Sequence, residues 1–166
     1  IDVGAVITGG NNTSYFITND TGLLVQNSIG SSNRLFPVGI SATSYNPARV
    51  RNFGTNDDYS VRVEPSPNTV YTSGVATESA IATANEVDRV WIINEGIAGA
   101  SNTTVVLQWD AAHEDVSFNR VACATHSYSY STGWGKNVSY TSAAIAGSSF
   151  TQTLSGITSF NKTPFS

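Results

Sequence analysis

The fold turns on TTVVLQWD, residues 103–110. Val105, Leu107 and Trp109 fall on one side of this stretch, and Thr104, Val106, Gln108 and Asp110 fall on the other. A repeat of two is the mark of an extended strand with one packed face and one wet face, whereas a helix would repeat every 3.6 residues. DDYSVRVEP, residues 57–65, shows the same alternation, with Tyr59, Val61 and Val63 opposed to Ser60, Arg62 and Glu64.

Working outward, the pattern predicts further strands over residues 3–8, 14–19, 23–27, 48–53, 89–94, 116–130 (with a bulge), 137–142 and 150–157. Turn formers separate them, among them Gly9-Gly10-Asn11-Asn12, Asn19-Asp20-Thr21-Gly22, Asn46-Pro47 and Glu64-Pro65-Ser66-Pro67. Short strands spaced roughly 8–12 residues apart point to an antiparallel sandwich or barrel. The expected fold is therefore all-β: an antiparallel, Ig-like β-sandwich with Greek-key-like connections, one domain over residues 1–166. The first 35 or so residues read either as a small preceding unit or as edge strands added to the sandwich. Residues 76–88 read equally as a short helix or as a loop crossing between sheets. The closing FTQTLSGITSFNKTPFS, residues 150–166, begins as a strand and ends as a polar tail containing Pro164. The expected core is Tyr59, Val61, Val63, Trp91, Ile93, Val105, Leu107, Trp109, Phe118 and Leu154.

Composition narrows the class. Only 12 % of the 166 residues are charged, against roughly 25 % in an average soluble protein. Ser, Thr and Asn take their place, which suits a secreted or cell-surface β protein better than a cytosolic enzyme. Net charge is −4, and the eight Lys and Arg residues are scattered, so no basic stripe offers itself to nucleic acid. No apolar run reaches the ~18 residues needed to span a bilayer, and membrane insertion is not expected. One cysteine, Cys123, excludes an intramolecular disulfide; packing must hold the fold together. An exported protein without disulfides is more typical of bacteria than of animals. The chain opens at Ile1 and contains no Met, which reads as a processed or excised product.

Candidate chemistry is sparse. His113 and His126 lack the paired spacing of a zinc site and read as structural or surface residues. Asp57, Asp58, Asp110, Glu114 and Asp115 read as solvated turn acids, with calcium as the alternative. No G-x-S-x-G elbow is present, and no carboxylate pair is singled out for glycoside hydrolysis. The chain is expected to be non-catalytic and to need no cofactor. Cys123, inside VACAT, reads as a buried, inert thiol. HSYSYSTGWGKNVSY, residues 126–140, is the most suggestive patch. Tyr128, Tyr130, Trp134 and Tyr140 form either an aromatic hairpin packed on itself or a platform on which sugar rings stack.

Three segments carry a resemblance: LFPVGISATSYNPARVRNFGTNDDYSVRVEP (35–65), VDRVWIINEGIAGASNTTVVLQWDAAHED (87–115) and FTQTLSGITSF (150–160). In this order, with FPVG, SYNP, RVWII, VLQWDA and SGITSF as their details, they resemble a β-sandwich module of Bacteroidota surface and secreted proteins. That module sits just before the C-terminal sorting domain of the type IX secretion system, and GGNNTSYFITNDTGLLVQ upstream resembles its lead-in. The resemblance implies export, display at the cell surface or release, and no catalytic residues. It also implies that a chain ending at Ser166 is a processed surface product, the sorting signal having been removed. The expected function is a structural or adhesion module whose partners are other surface domains or copies of itself. Exposed strands such as residues 3–8 would pair with a neighbour's sheet edge to build a filament or sheath. The alternative is a carbohydrate-binding module whose partner is a glycan held by the aromatic hairpin.

Overall fold

The computed structural model describes residues 6–18, 20–65, 67, 70–77, 85–136 and 139–166. Strands run in chain order as β1 (Phe16–Ile17), β2 (Leu24–Ile29), β3 (Arg34–Phe36), β4 (Val38–Ser41), β5 (Ser44–Tyr45), β6 (Ala48–Asn52) and β7 (Asp57–Pro65). A small hairpin, β8 (Tyr71–Thr72) and β9 (Val75–Ala76), precedes the long central strands β10 (Arg89–Glu95) and β11 (Thr103–Asp110). After a 3-10 turn at Ala111–His113 come β12 (His126–Ser129), β13 (Gly133–Lys136), β14 (Ala144–Ala146), β15 (Ser149–Ile157) and β16 (Thr163–Phe165).

Two sheets carry the fold. One has six strands in the order β13-β12-β16-β10-β7-β2, the other five in the order β14-β15-β11-β6-β3. Every pair within them is antiparallel. A three-stranded sheet, β1-β4-β5, contains one parallel pair, Phe16↔Val38 and Ile17↔Gly39. The inward side chains of the two large sheets meet in one cluster. Tyr59, Val61, Val63, Trp91, Ile93 and Phe165 come from the six-stranded sheet, and Phe36, Val50, Val105, Leu107, Trp109 and Leu154 from the five-stranded one. The molecule is thus an all-β sandwich of mainly antiparallel sheets. Each large apolar side chain so buried contributes roughly 1.5–3 kcal/mol before conformational entropy is subtracted.

The alternation in residues 103–110 is realised residue by residue: Thr103, Val105, Leu107 and Trp109 are buried and their neighbours half-buried. Nine of the ten expected core residues are buried, and Phe118 packs against the cluster while staying partly exposed. Strand β10 goes further than its pattern indicates. Trp91 and Ile93 enter the main core, while Val90 and Ile92 join Tyr71 and Tyr128 in a second cluster on the sheet's other face.

A buried carboxylate closes one end. Glu95, at the end of β10, accepts hydrogen bonds from the Gly99 and Phe160 backbone N–H groups (2.9 and 3.0 Å) and from the Ser101 hydroxyl. Ser101 also meets the Tyr59 hydroxyl at 2.9 Å. This network ties β7, β10, the loop after β10 and the approach to β16 together, and charge-assisted bonds of this kind satisfy a charge that would otherwise be costly to bury.

Several expectations change. The strand expected over 116–130 is confined to β12; before it the chain turns, with Phe118 N–H donating to Asp115 O and Val121 N–H to Asn119 Oδ1. Asp and Asn turn geometry overrides a weak two-residue period there. Of the strand expected at 14–19, residue 19 lies outside the described residues and the rest shrinks to Phe16–Ile17. Of the strand expected at 3–8, residues 3–5 lie outside the described residues and 6–8 are not in a strand. Of that at 137–142, residues 137 and 138 lie outside them, and Thr141 forms a single bridge to Cys123. For the helix or crossover expected at 76–88, residues 78–84 lie outside the described residues.

The largest correction concerns the polar tail. Residues 163–165 form β16, which lies inside the six-stranded sheet between β12 and β10, with Phe165 and Pro164 buried. Proline in an inner strand would ordinarily cost a ladder bond. Here Ser166 N–H donates to His126 O; an N–H two residues earlier would face the same neighbour, and the β12 pairing extends only to Ser127↔Phe165. The missing N–H falls where that ladder has already ended.

Candidate functional site

The site is built on a polar hub that joins SYNP to the two central motifs. Asn46 is fully buried. Its Oδ1 accepts from Ser44 Oγ (2.7 Å) and from Arg89 Nε (3.2 Å), and its backbone oxygen accepts from Trp91 Nε1 (2.9 Å). Its Nδ2 meets His113 Nδ1 at 3.0 Å, and Ser44 Oγ lies 3.3 Å from His113 Nε2. Burial, then the Arg89 guanidinium, push the His113 imidazole below its ordinary 6.5, which favours a neutral ring within this hydrogen-bonded hub.

Beside this hub, residues 85–88 are laced to residues 113–115. Asp88 N–H donates to His113 O (2.6 Å), Asp115 N–H to Glu86 O (2.9 Å), and Asn85 N–H to Asp115 Oδ2 (3.0 Å). This lacing places Glu86 at a cavity of about 560 Å³. Trp91, Leu107, Trp109, Phe118 and Trp134 supply apolar wall, and Glu86, His126 and Gln152 are among its polar lining. The volume lies within the roughly 300–1,000 Å³ of small-molecule sites, which are likewise mostly apolar with a few polar groups. Burial first, then Asp88 and Asp115, raise the Glu86 carboxyl from 4.5 to about 7.

The walls are fixed from behind. Trp109 Nε1 donates to Glu114 Oε1 at 2.8 Å, and Glu114 is held by Arg120 at 2.6 Å. Phe118 stands edge-on to Trp109 at 6.0 Å between centroids. Gln152 donates to Cys123 O (3.2 Å) and Thr141 Oγ1 (2.9 Å). The Cys123 thiol is buried and its titration is raised, mainly by that burial, so the reactive thiolate is disfavoured.

The four aromatic candidates are divided. Tyr128 is 8 % exposed and belongs to the second core cluster. Its ring meets Tyr71, Tyr130 and Trp134 edge-on at 5.3, 5.7 and 5.5 Å. Tyr130 donates its hydroxyl to Lys162 O at 2.6 Å. Trp134 and Tyr140 line the cavity, and Tyr140 is 62 % exposed. Tyr71, which completes the ring cluster, lies outside the 126–140 patch and carries no period that would flag it.

The turn acids are engaged with the protein. Asp57 accepts from the N–H groups of Asp58 and Ile97 (2.7 and 2.9 Å), Asp58 from Ser28 N–H (2.8 Å), and Asp110 from the Ser149 hydroxyl. Among the described residues no group of three or more His, Cys, Asp or Glu is placed to hold a metal.

The sheet edges differ in character. At β2 the ladder is broken by a bulge with Ser28 at φ 54°. The β3 edge is three residues long, begins with Arg34 and runs into Pro37. The β14 edge is Ala-Ile-Ala, with Ile145 78 % exposed. No charged residue or histidine occurs from residue 137 to residue 161. Compared with known protein families, with curated proteins and with solved structures, the chain matches none of them.

Proposed function

We propose that this chain is a non-catalytic structural or adhesion module of a bacterial cell surface, carried outside by type IX export. It joins other surface domains or copies of itself by strand pairing, and extends into a filament or sheath. The observation that carries this reading is the β14 edge. Sandwich proteins usually blunt an edge with Lys, Pro, a bulge or an inward charge. β14 is only three residues long, but it has none of these and exposes Ile145 in a stretch free of charge for 25 residues. A partner strand would find open backbone groups and an apolar side chain with no repulsion to overcome. The sparse charge and the resemblance to Bacteroidota modules support the extracellular setting, and two antiparallel sheets packed on one core support the Ig-like, Greek-key assignment.

Light scattering and negative-stain microscopy over a concentration series test the assembly. The parent chain is expected to form oligomers or fibres, and Ile145→Lys to remain monomeric with unchanged thermal stability. A parent that stays monomeric at high concentration, or an Ile145→Lys protein that assembles equally, sinks the reading.

The second reading, carbohydrate binding, is favoured by one observation: Trp134 and Tyr140 line the same cavity. A glycan array compares the parent with Trp134→Ala. Binding lost in the variant supports the reading; no binding, or equal binding, removes this site.

A further inference from the structure

The cavity is not needed for strand pairing, and its chemistry selects a ligand of its own. Three tryptophans line it, and two of them have their polar atom committed elsewhere: Trp91 Nε1–H to Asn46 O and Trp109 Nε1–H to Glu114 Oε1. Both rings are buried, Trp91 1 % and Trp109 3 % exposed, and form an apolar floor, while Phe118, Trp134 and Tyr140 present the accessible ring surface. Gln152 likewise spends its amide donors on Cys123 O and Thr141 Oγ1. A ligand presenting many hydroxyls would find few of these groups free to answer it.

Charge narrows the choice. Glu86 lines the cavity, and among the described residues no Lys or Arg lines it and no ion pair engages Glu86. The nearby acids Asp88 and Asp115 add charge of the same sign. The acidic charge around Glu86 disfavours an anion there. A cation would meet a carboxylate together with the aromatic side chains of Phe118, Trp134 and Tyr140, and a cation is the charge type that aromatic rings attract.

We propose that this cavity binds a small organic cation: an amine or quaternary ammonium carried on a compact apolar or aromatic body. The aromatic walls take the body, and Glu86 takes the charge. The raised titration of Glu86 fits the same picture, since burial and the like charges of Asp88 and Asp115 disfavour its carboxylate and a bound cation would offset both.

The test uses benzyltrimethylammonium as probe, followed by calorimetry and by the tryptophan indole N–H signals in heteronuclear NMR at pH 8. Benzyl alcohol, benzoate and lactose serve as the neutral, anionic and carbohydrate comparators. Saturable one-site binding of benzyltrimethylammonium is expected, with shifts at Trp91, Trp109 and Trp134, and affinity about tenfold weaker for benzyl alcohol. Glu86→Gln should weaken the cation by about tenfold while leaving benzyl alcohol unchanged. The proposal is overturned by absent saturation with benzyltrimethylammonium, by equal affinity in Glu86→Gln, or by tighter binding of benzyl alcohol, benzoate or lactose. The strand-pairing assay on Ile145→Lys is independent, so failure of either reading leaves the other standing.

Discussion

Replacing Glu86 with Gln should stabilise the protein, and only above a definite pH. The carboxyl titrates near 7 in the folded chain, against an ordinary 4.5, because burial, Asp88 and Asp115 all disfavour its charge. Below 4.5 both folded and unfolded forms hold the proton and the group is neutral for stability. Between 4.5 and about 7 the unfolded chain releases its proton first, so the folded state binds more protons and the parent loses stability as pH rises. At about 1.36 kcal/mol per pH unit, the interval from 4.5 to about 7 corresponds to about 3.4 kcal/mol for a dry site. Glu86 is only part-buried, and solvent screening reduces this to ~1–2 kcal/mol. The Glu86→Gln protein should match the parent at pH 4, gain steadily to pH 7 and level off beyond. Urea unfolding followed by tryptophan fluorescence at half-unit steps from pH 4 to 8.5 measures it. Subtracting the two curves removes titrations common to both, including that of His113, which is pushed below 6.5 and weakens the fold on acidification. A difference that is constant with pH, or a variant less stable than the parent at pH 8, refutes the reasoning.

Other outcomes follow from the packing. Glu95→Ala strips the acceptor from the Gly99 and Phe160 N–H groups and the Ser101 hydroxyl; it should cost about 3–5 kcal/mol, with Glu95→Gln milder, as read from denaturation midpoints. Gly54→Ala would place a methyl carbon 2.1 Å from Ala100 O, and since backbone must move on both sides, a loss of about 1–3 kcal/mol is expected in the same assay. The Cys123 thiol, buried and with raised titration, should react with Ellman's reagent in native protein only as fast as local opening allows, and at once in denaturant; rapid native labelling would contradict its burial.

The sandwich itself was legible because its central strands each face water on one side. In β11 the buried set is the odd-numbered set, and in β7 the pattern names Tyr59, Val61 and Val63 directly but misses Arg62, which is buried on the other face. Where a strand is covered on both faces the period vanishes, and β10, buried at six of seven positions, showed only half its role. Short strands such as β3, β14 and β16 carry too few residues for any period and owe their existence to neighbours. Thr163–Phe165 reads as polar only because Pro164 and Asn161-Lys162 surround one large apolar ring; its burial is settled by β10 and Phe160. The candidate site was legible in its aromatic residues and not in its acid. Trp134 and Tyr140 could be picked out by type, but the environment of Glu86 arises when residues 85–88 meet residues 113–115, a distance in sequence that no local pattern spans.

The position of β16 has a mechanical consequence. Among the described residues, the β12–β13 hairpin joins the ladder of its sheet through β16 alone, because β16 stands between it and β10, although Tyr128 and Trp134 also pack against Tyr71, Val90 and Ile92. Three residues therefore act as a keystone: they couple the ring cluster on the hairpin to the sheet's centre. Loosening them, by a bulky substitution at Phe165 or by shortening the chain before Thr163, should leave the hairpin held by its ring packing alone while β7 and β10 stay zipped. Amide hydrogens of β12, β13 and Ser166 should then exchange as one group, separately from the middle of the sandwich.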